Sequence, residues 1–316
     1  MRIVLFGDGD WATRSLLRLR DAGHDIAAVV LRARPSENGL EQAATALGVP
    51  IVQPRDVNAL ECVSTVRALA PDVNLSIAYN QIFRDAIRGT ASWFLNVHAS
   101  KLPRYRGRNV INWAIINGEQ EIGVTVHLVD EGIDTGDILL QRTLPIAWTD
   151  TYGDVLHRVV HIVPDLIEEA MAMIADGTAQ PKPQAPGGTY FCGRRDGDEW
   201  LDWSTPSLEI HNKIRGISRP GPGARTCLGS NVVVIWRAAY DLDWPRYRAT
   251  PGEVVSRAPG VGVFVKSADS TVLVQEVQLG DTRPQVPSWP VGSRLGVNAG
   301  AVLHKLLLNV ESFPQA

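Results

Sequence analysis

An α/β fold with a small β-rich domain behind it is the architecture this sequence predicts, and three observations predict it. The first half alternates short, wholly apolar runs with segments of helical spacing. Such runs belong to strands covered on both faces, and the helices between them make the strands parallel. The stretch Pro181-Lys182-Pro183-Gln184-Ala185-Pro186-Gly187-Gly188 then breaks the pattern and reads as a linker. Behind it come short β-rich runs punctuated by Gly and Pro, as in a small barrel or sandwich. Together these indicate a Rossmann-like, mostly parallel sheet over residues 1–188. A C-terminal domain is expected over 189–316, a helical connector followed by a small barrel or sandwich.

The elements follow in order. Ile3–Phe6 is a buried strand, ended by the turn-prone Gly7-Asp8-Gly9-Asp10. Residues 12–22 place Leu16, Leu17 and Leu19 on or near one helical face, and Gly23 stops that helix. Ile26–Leu31 is a second strand; residues 40–47 and 58–69 are helices; Val73–Ile77, Phe94–Val97 and Val124–Leu128 are further strands. Residues 151–177 read as one long helix, interrupted or kinked at Pro164, whose ring displaces the preceding turn. Residues 206–217 are helical, and 231–238, 252–257, 262–266 and 271–278 are strands. Ligands of parallel sheets bind beyond the carboxyl ends of the strands. Chemistry is therefore expected after Phe6, Ile77 and Val97.

Composition narrows the function classes. The chain has 316 residues, 45% of them hydrophobic and 21% charged, which suits two globular domains and excludes intrinsic disorder. A net charge of −3 gives no whole-chain attraction to nucleic acid or anionic lipid. Residues 205–316 are mildly basic, with 12 Lys and Arg against 8 Asp and Glu. The three cysteines, Cys62, Cys192 and Cys227, are too sparse for a disulfide framework, and no CxxC pair suggests zinc. The first apolar run is too short for a signal peptide, and no stretch approaches the ~20 apolar residues of a membrane span. A cytoplasmic protein with soluble substrates is expected.

Four motifs carry chemistry. Gly7-Asp8-Gly9-Asp10-Trp11-Ala12 matches part of a dinucleotide fingerprint, after a strand and before a helix. The acid that should hold a ribose is missing at the end of the second strand, where Leu31-Arg32-Ala33-Arg34 stands, so a tight turn is the better reading. His157 and His161 sit at i, i+4 on one helical face, a metal-ligand spacing without the Glu of a metalloprotease; ordinary surface histidines are expected. Asp130-Glu131-Gly132-Ile133-Asp134-Thr135-Gly136-Asp137 packs four carboxylates into a glycine-flanked loop that does not fit calcium spacing. The strongest signal is Phe94-Leu95-Asn96-Val97-His98. Side chains alternate along a strand, so Asn96 and His98 share one face at its carboxyl end. An amide donor beside a group that titrates near neutrality is the equipment of acyl transfer: one holds an oxyanion, the other manages a proton. A buried hydrogen-bonding pair is the alternative when the motif stands alone.

It does not stand alone. Asn96-Val97-His98-Ala99-Ser100, Leu102-Pro103, Tyr105-Arg106-Gly107, Trp113-Ala114-Ile115, Asn117-Gly118-Glu119, Gly123-Val124-Thr125-Val126-His127 and Gly132-Ile133-Asp134-Thr135-Gly136 follow one another in order. This set resembles the 10-formyltetrahydrofolate-dependent formyltransferases. The resemblance extends through Phe191-Cys192-Gly193-Arg194-Arg195, Leu201-Asp202-Trp203, His211-Asn212-Lys213-Ile214-Arg215 and Pro222-Gly223-Ala224. It reaches the closing Pro251-Gly252-Glu253-Val254-Val255 and Gly292-Ser293-Arg294-Leu295, which resemble the small C-terminal barrel of that group and imply an OB-like barrel for the second domain. Two branches share these features: one formylates methionyl-tRNA, the other amino sugars on nucleotide carriers.

The resemblance implies a catalytic trio of Asn96, His98 and Asp134. Asn96 and protonated His98 would stabilise the oxyanion, and Asp134 would raise the pKa of His98 and help remove the amine proton. It implies a pterin held by main-chain groups of Gln81-Ile82-Phe83 and of Asp130-Glu131-Gly132-Ile133, with Arg108 at a folate-contacting position. The formyl donor would be 10-formyltetrahydrofolate, with no metal. Val110 stands where family members often carry Pro. For the acceptor, the short, mixed-charge segment Arg32–Glu41 and the net charge of −3 favour a nucleotide-linked amino sugar, dTDP- or UDP-borne, and make nucleic acid unlikely. The alternatives are a hydroxyornithine-type amine and methionyl-tRNA. The β-rich tail offers a surface for pairing as a homodimer.

Overall fold

The computed structural model describes residues 1–296; the end of the expected second domain, 297–316, lies outside the described residues. In chain order the elements are β1 (Arg2–Gly7), α1 (Gly9–Asp21), β2 (Asp25–Leu31), α2 (Gly39–Ala46), β3 (Ile51–Val52), α3 (Leu60–Ala68) and β4 (Val73–Ile77). There follow α4 (Asp85–Arg88), β5 (Trp93–His98), β6 (Arg106–Gly107), α5 (Val110–Ile116), β7 (Glu121–Leu128), β8 (Ile138–Pro145), α6 (Tyr152–Ala175) and β9 (Tyr190–Phe191). The last group is α7 (Ser207–Gly216), β10 (Ala224–Leu228), β11 (Asn231–Ala239), β12 (Val254–Ala258), β13 (Gly262–Lys266) and β14 (Thr271–Leu279). The chain divides into two compact units. One comprises Met1–Ala114, Glu119–Trp148 and Asp154–Arg194; the other begins at Arg195 and also takes Ile115–Gly118 and Thr149–Gly153.

In the first unit a seven-stranded sheet has the order β3-β2-β1-β4-β5-β7-β8. β1 sits mid-sheet, and Ile3, Val4, Leu5 and Phe6 are fully buried, which is why its sequence is apolar without alternation. The chain leaves β1 toward β2 on one side and returns to β4 on the other. This reversal of winding opens a crevice at the carboxyl ends of β1 and β4. β1 through β5 pair in parallel, but β7 runs antiparallel to β5, and β8 antiparallel to β7. The sheet is therefore mostly parallel, as expected, with an antiparallel margin that apolar periodicity alone does not distinguish.

Phe6 anchors an aromatic cluster under that crevice. Its ring lies 5.8 Å from Tyr79, 5.2 Å from Phe83 and 5.5 Å from Phe94. Truncating a fully buried aromatic loses transfer free energy and leaves a void. Phe6→Ala is expected to destabilise the first unit by about 3–5 kcal/mol, read as a lowered urea midpoint.

Two expectations change. α6 continues through Pro164 without interruption. The buried row Val159, Val160, Val163, Leu166 and Ile167 packs on both sides of the proline and holds the helix together despite one missing N–H. The breaker-rich stretch at 181–188 is not a loose linker but a strap on the first unit. Ile138 and Lys182 exchange backbone hydrogen bonds, and β9 pairs in parallel with β6.

In the second unit five antiparallel strands follow the order β10-β11-β14-β13-β12. Arg294 bridges Glu253 and Leu295 bridges Leu228, so a short closing segment spans the two edge strands and curls the sheet into a barrel. Leu201, Trp203, Ile210 and Ile214 share one buried cluster with Val233, Ile235, Val263, Val265 and Val274, which seats α7 on the barrel. Among the described residues no helix is long and apolar enough to cross a membrane.

Candidate active site

The site is assembled from β5 and two loops. Asn96 and His98 lie two residues apart on β5 and therefore share a face. Because β7 is antiparallel, His127 falls directly opposite Asn96, and Thr125 opposite His98. The loop between β7 and β8 carries Asp134 over this face. Its backbone is left-handed, with φ +54°, a conformation that a non-glycine residue keeps only when its surroundings hold it.

The geometry brings the three expected residues together. His98 Nδ1 is 3.6 Å from Asp134 Oδ2, and Asn96 Nδ2 is 3.4 Å from Asp134 Oδ1. The other His98 nitrogen, Nε2, lies 2.7 Å from the Tyr105 carbonyl. A carbonyl only accepts, so Nε2 carries a hydrogen, and Nδ1 is the nitrogen that titrates, facing Asp134. Asp134 Oδ2 also accepts the Gly107 N–H at 2.8 Å. Gly107 is itself a forced choice: its φ is +97°, and a Cβ there would lie 2.2 Å from the Phe191 carbonyl oxygen.

Burial adds an influence on His98 that opposes Asp134. Burial pushes the His98 pKa down and outweighs the raising effect of Asp134 and of the Tyr105 carbonyl, so the resting imidazole is more readily neutral than an exposed one. Asp134 behaves in the opposite way. Burial raises its pKa, but His98, then the His127 ring 3.5 Å away and the Gly107 N–H, overcome that and take it down to about 2. A permanent carboxylate thus faces an imidazole that resists protonation.

His127 is the group that sequence reasoning did not single out. Its Nδ1 lies 2.7 Å from the Leu128 carbonyl and so bears hydrogen, and Nε2 stands 3.1 Å from Asn96 Nδ2, able to accept from it. His127 therefore orients the Asn96 amide. The signal available in the sequence was the Thr125-Val126-His127 alternation, which puts His127 on the Thr125 face but does not reveal the strand it faces.

The two loops assigned to the pterin divide their labour. Gln81 spends its side chain inside the protein, accepting from the Val57 N–H at 2.8 Å and donating to the Arg55 carbonyl at 3.2 Å. Phe83 is buried in the aromatic cluster. Asp130 accepts the Thr135 hydroxyl at 2.7 Å and the Gly132 N–H at 3.1 Å, closing its own loop. Ile82 and Ile133 remain 60% and 49% exposed, and Glu131 and Arg108 are also exposed. Arg108 lies close enough to Arg32 to oppose its charge. Arg32 in turn bonds Asp8 at 2.8 Å, so the acid in the first glycine turn is neutralised from within.

The remaining motifs are structural. The His157 and His161 rings are 4.0 Å apart, and His161 Nδ1 donates to the His157 carbonyl at 2.7 Å, as a helix-surface histidine does. Among the described residues no three His, Cys, Asp or Glu side chains gather as a metal site.

Comparison with known proteins places this geometry. The formyl transferase family matches residues 1–171, and the formyl transferase C-terminal domain matches residues 195–289. A methionyl-tRNA formyltransferase of Pelotomaculum thermopropionicum is 36% identical over 90% of this chain and 92% of its own length. A methionyl-tRNA formyltransferase of Symbiobacterium thermophilum is 34% identical over 95% of this chain and 94% of its own. The crystal structure of WlaRD, a sugar 3N-formyl transferase with dTDP and 5-N-formyl-THF, superposes with a TM-score of 0.68. It is 20% identical over 90% of this chain and 99% of its own, a likeness of fold. The relatives overturn the amino-sugar acceptor and the reading of nucleic acid as unlikely, both drawn above from the Arg32–Glu41 segment and the net charge. Net charge averages over a whole chain, whereas phosphate is met by a local face, and 205–316 is the basic part.

Proposed function

The chain belongs to the formyl transferase family and is a 10-formyltetrahydrofolate-dependent N-formyltransferase, and we propose that its acceptor is methionyl-tRNA. The observation that carries the acceptor is identity of 34–36% spread over nearly the whole chain to enzymes of that name. Exposed Arg237, Arg246, Arg248, Arg257 and Arg283 on the second unit supply cations for phosphate contacts. On this reading the first unit, which ends at Arg194, carries the chemistry, and the described residues from Arg195 onward supply the connector and barrel.

The donor supplies a formyl carbon open to attack. The chain fits its ring system: exposed Ile82 and Ile133 offer aliphatic surface, while Gln81 and Asp130 spend their side chains on their own loops and leave main-chain groups to recognise the pterin edge. Asn96 Nδ2 gives up its long 3.4 Å bond to Asp134 and donates to the oxygen that gains negative charge. His98, neutral at rest, accepts the proton of the attacking amine at Nδ1. The imidazolium so formed is stabilised by the Asp134 carboxylate 3.6 Å away and joins the neutral Asn96 amide as a cationic partner for the oxyanion. His98 then returns its proton to the donor nitrogen as the bond from that nitrogen to the formyl carbon breaks, so that tetrahydrofolate leaves.

Incubating the protein with 10-formyltetrahydrofolate and methionyl-tRNA should yield N-formylmethionine, read by mass spectrometry after deacylation. dTDP- and UDP-linked 4-amino sugars should remain unformylated. Formylation of a sugar with methionyl-tRNA untouched would reverse the acceptor assignment.

A further inference from the structure

The strap at 181–188 reaches the loop that bears Asp134 through one side chain. Gln184 Nε2 lies 2.9 Å from the Asp134 carbonyl oxygen and 2.8 Å from that of Gly136. Its Oε1 accepts from Arg106 Nε at 3.1 Å and from Nη2 at 2.6 Å. The amide cannot be turned over, because carbonyls only accept and a guanidinium only donates. Both of its ends are thus fixed by chemistry.

These bonds close a ring. Asp134 Oδ2 accepts from the Gly107 N–H; Gly107 is bonded to Arg106; Arg106 holds Gln184; Gln184 holds the Asp134 main chain. Arg106 is braced in turn. Its guanidinium carbon sits 5.3 Å from the Tyr190 ring centre, and its main-chain N–H donates to the Thr189 carbonyl at 2.8 Å. The ring fastens both the carboxylate and the backbone of Asp134, the residue of the β7–β8 loop that keeps a left-handed conformation beside His98.

We propose that Gln184, braced by Arg106, is a positioning residue that holds Asp134 in register with His98 and Asn96. The inference rests on the reading of Asp134 as part of the reacting trio. Gln184 touches none of the reacting atoms. Its effect passes through the placement of one carboxylate, where a misplacement of about 1 Å costs on the order of 100-fold in rate.

The test uses the full-length protein with Gln184→Glu and Gln184→Met. The first keeps the acceptor for Arg106 and loses both donors; the second keeps the length and loses all polar contacts. Each should lower kcat roughly 10- to 100-fold while KM for the formyl donor stays within about threefold. In an Asp134→Asn background, where there is no carboxylate left to position, adding Gln184→Glu should cause no further loss. If Gln184→Met fails to fold, the near-isosteric Glu variant carries the comparison. Unchanged kcat in the Gln184 variants, or a loss that adds in full to that of Asp134→Asn, overturns the positioning role and leaves the trio intact. Full activity in Asp134→Asn alone overturns the trio, and the positioning role with it.

Discussion

His98→Ala is expected to lower the single-turnover rate of formyl transfer by about 10²–10⁴-fold, with little change in affinity for the formyl donor. The size follows from what Nδ1 does. It is the only His98 nitrogen able to take a proton, since Nε2 is committed to the Tyr105 carbonyl, and it faces the carboxylate that stabilises the resulting charge. The donor loops, Gln81–Phe83 and Asp130–Ile133, use other groups, so binding should survive. The variant also removes the hydrogen bond to the Tyr105 carbonyl, which costs on the order of 0.5–1.5 kcal/mol of stability. Activity must therefore be compared at a temperature where both proteins are folded. A His98→Ala protein that transfers formyl at the unaltered rate would remove the proton-transfer role from this site.

The sequence showed the centre of the first sheet better than its margin. Ile3–Phe6 and Ile26–Leu31 announce themselves because strands covered on both faces need no polar residue. β8 does not, because its burial alternates unevenly at the sheet edge and it includes Gln141, Arg142 and Thr143. The two-residue strands β6 and β9 carry no periodicity at all, yet their pairing is what brings the strap to the Asp134 loop. Propensity cannot see such a contact, because it joins residues more than 80 positions apart through backbone groups alone.

The same distinction runs through the site. Asn96 and His98 were legible because a period of two puts them on one face within a single strand. Asp134 was legible through the resemblance and the glycine-flanked loop, but its closure on His98 was not written in spacing. His127 was hidden by strand direction: only an antiparallel β7 sets it against Asn96. Gln184 was hidden by composition, in a stretch whose prolines and glycines suggested a tether. The net ionisation of His98 was not legible for a related reason. A neighbouring carboxylate can be anticipated from sequence, but the depth of burial that outweighs it cannot.

Asp134→Asn should separate charge from shape at the same centre. An asparagine Oδ1 can still accept the Gly107 N–H, and Gln184 bonds the main chain of residue 134, so the loop is expected to keep its path. What disappears is the negative charge facing His98 Nδ1. Without it only the Tyr105 carbonyl still opposes burial at His98, its pKa falls further, and the imidazolium formed on accepting the amine proton loses its partner. A fall in kcat of about 10²–10⁴-fold is expected. Stability supplies an independent reading. The folded Asp134 titrates at about 2 against an ordinary 3.8, so its contribution is complete above the ordinary value. As pH drops below that value the unfolded chain takes up the proton first, and the contribution is lost by the time the folded carboxyl titrates. The shift is worth roughly 2–3 kcal/mol. His98 adds a decline of the same sign at higher pH, beginning near its ordinary 6.5, because the unfolded imidazole protonates before the buried one. Urea midpoints measured from neutrality down to about pH 2.5 should therefore fall in two stages for the unaltered protein. In Asp134→Asn the lower stage should flatten while the upper one persists or deepens. Parallel acid limbs in the two proteins would mean that the carboxylate at 134 is not held at low pKa by His98, His127 and Gly107, and the electrostatic account of this centre would fail.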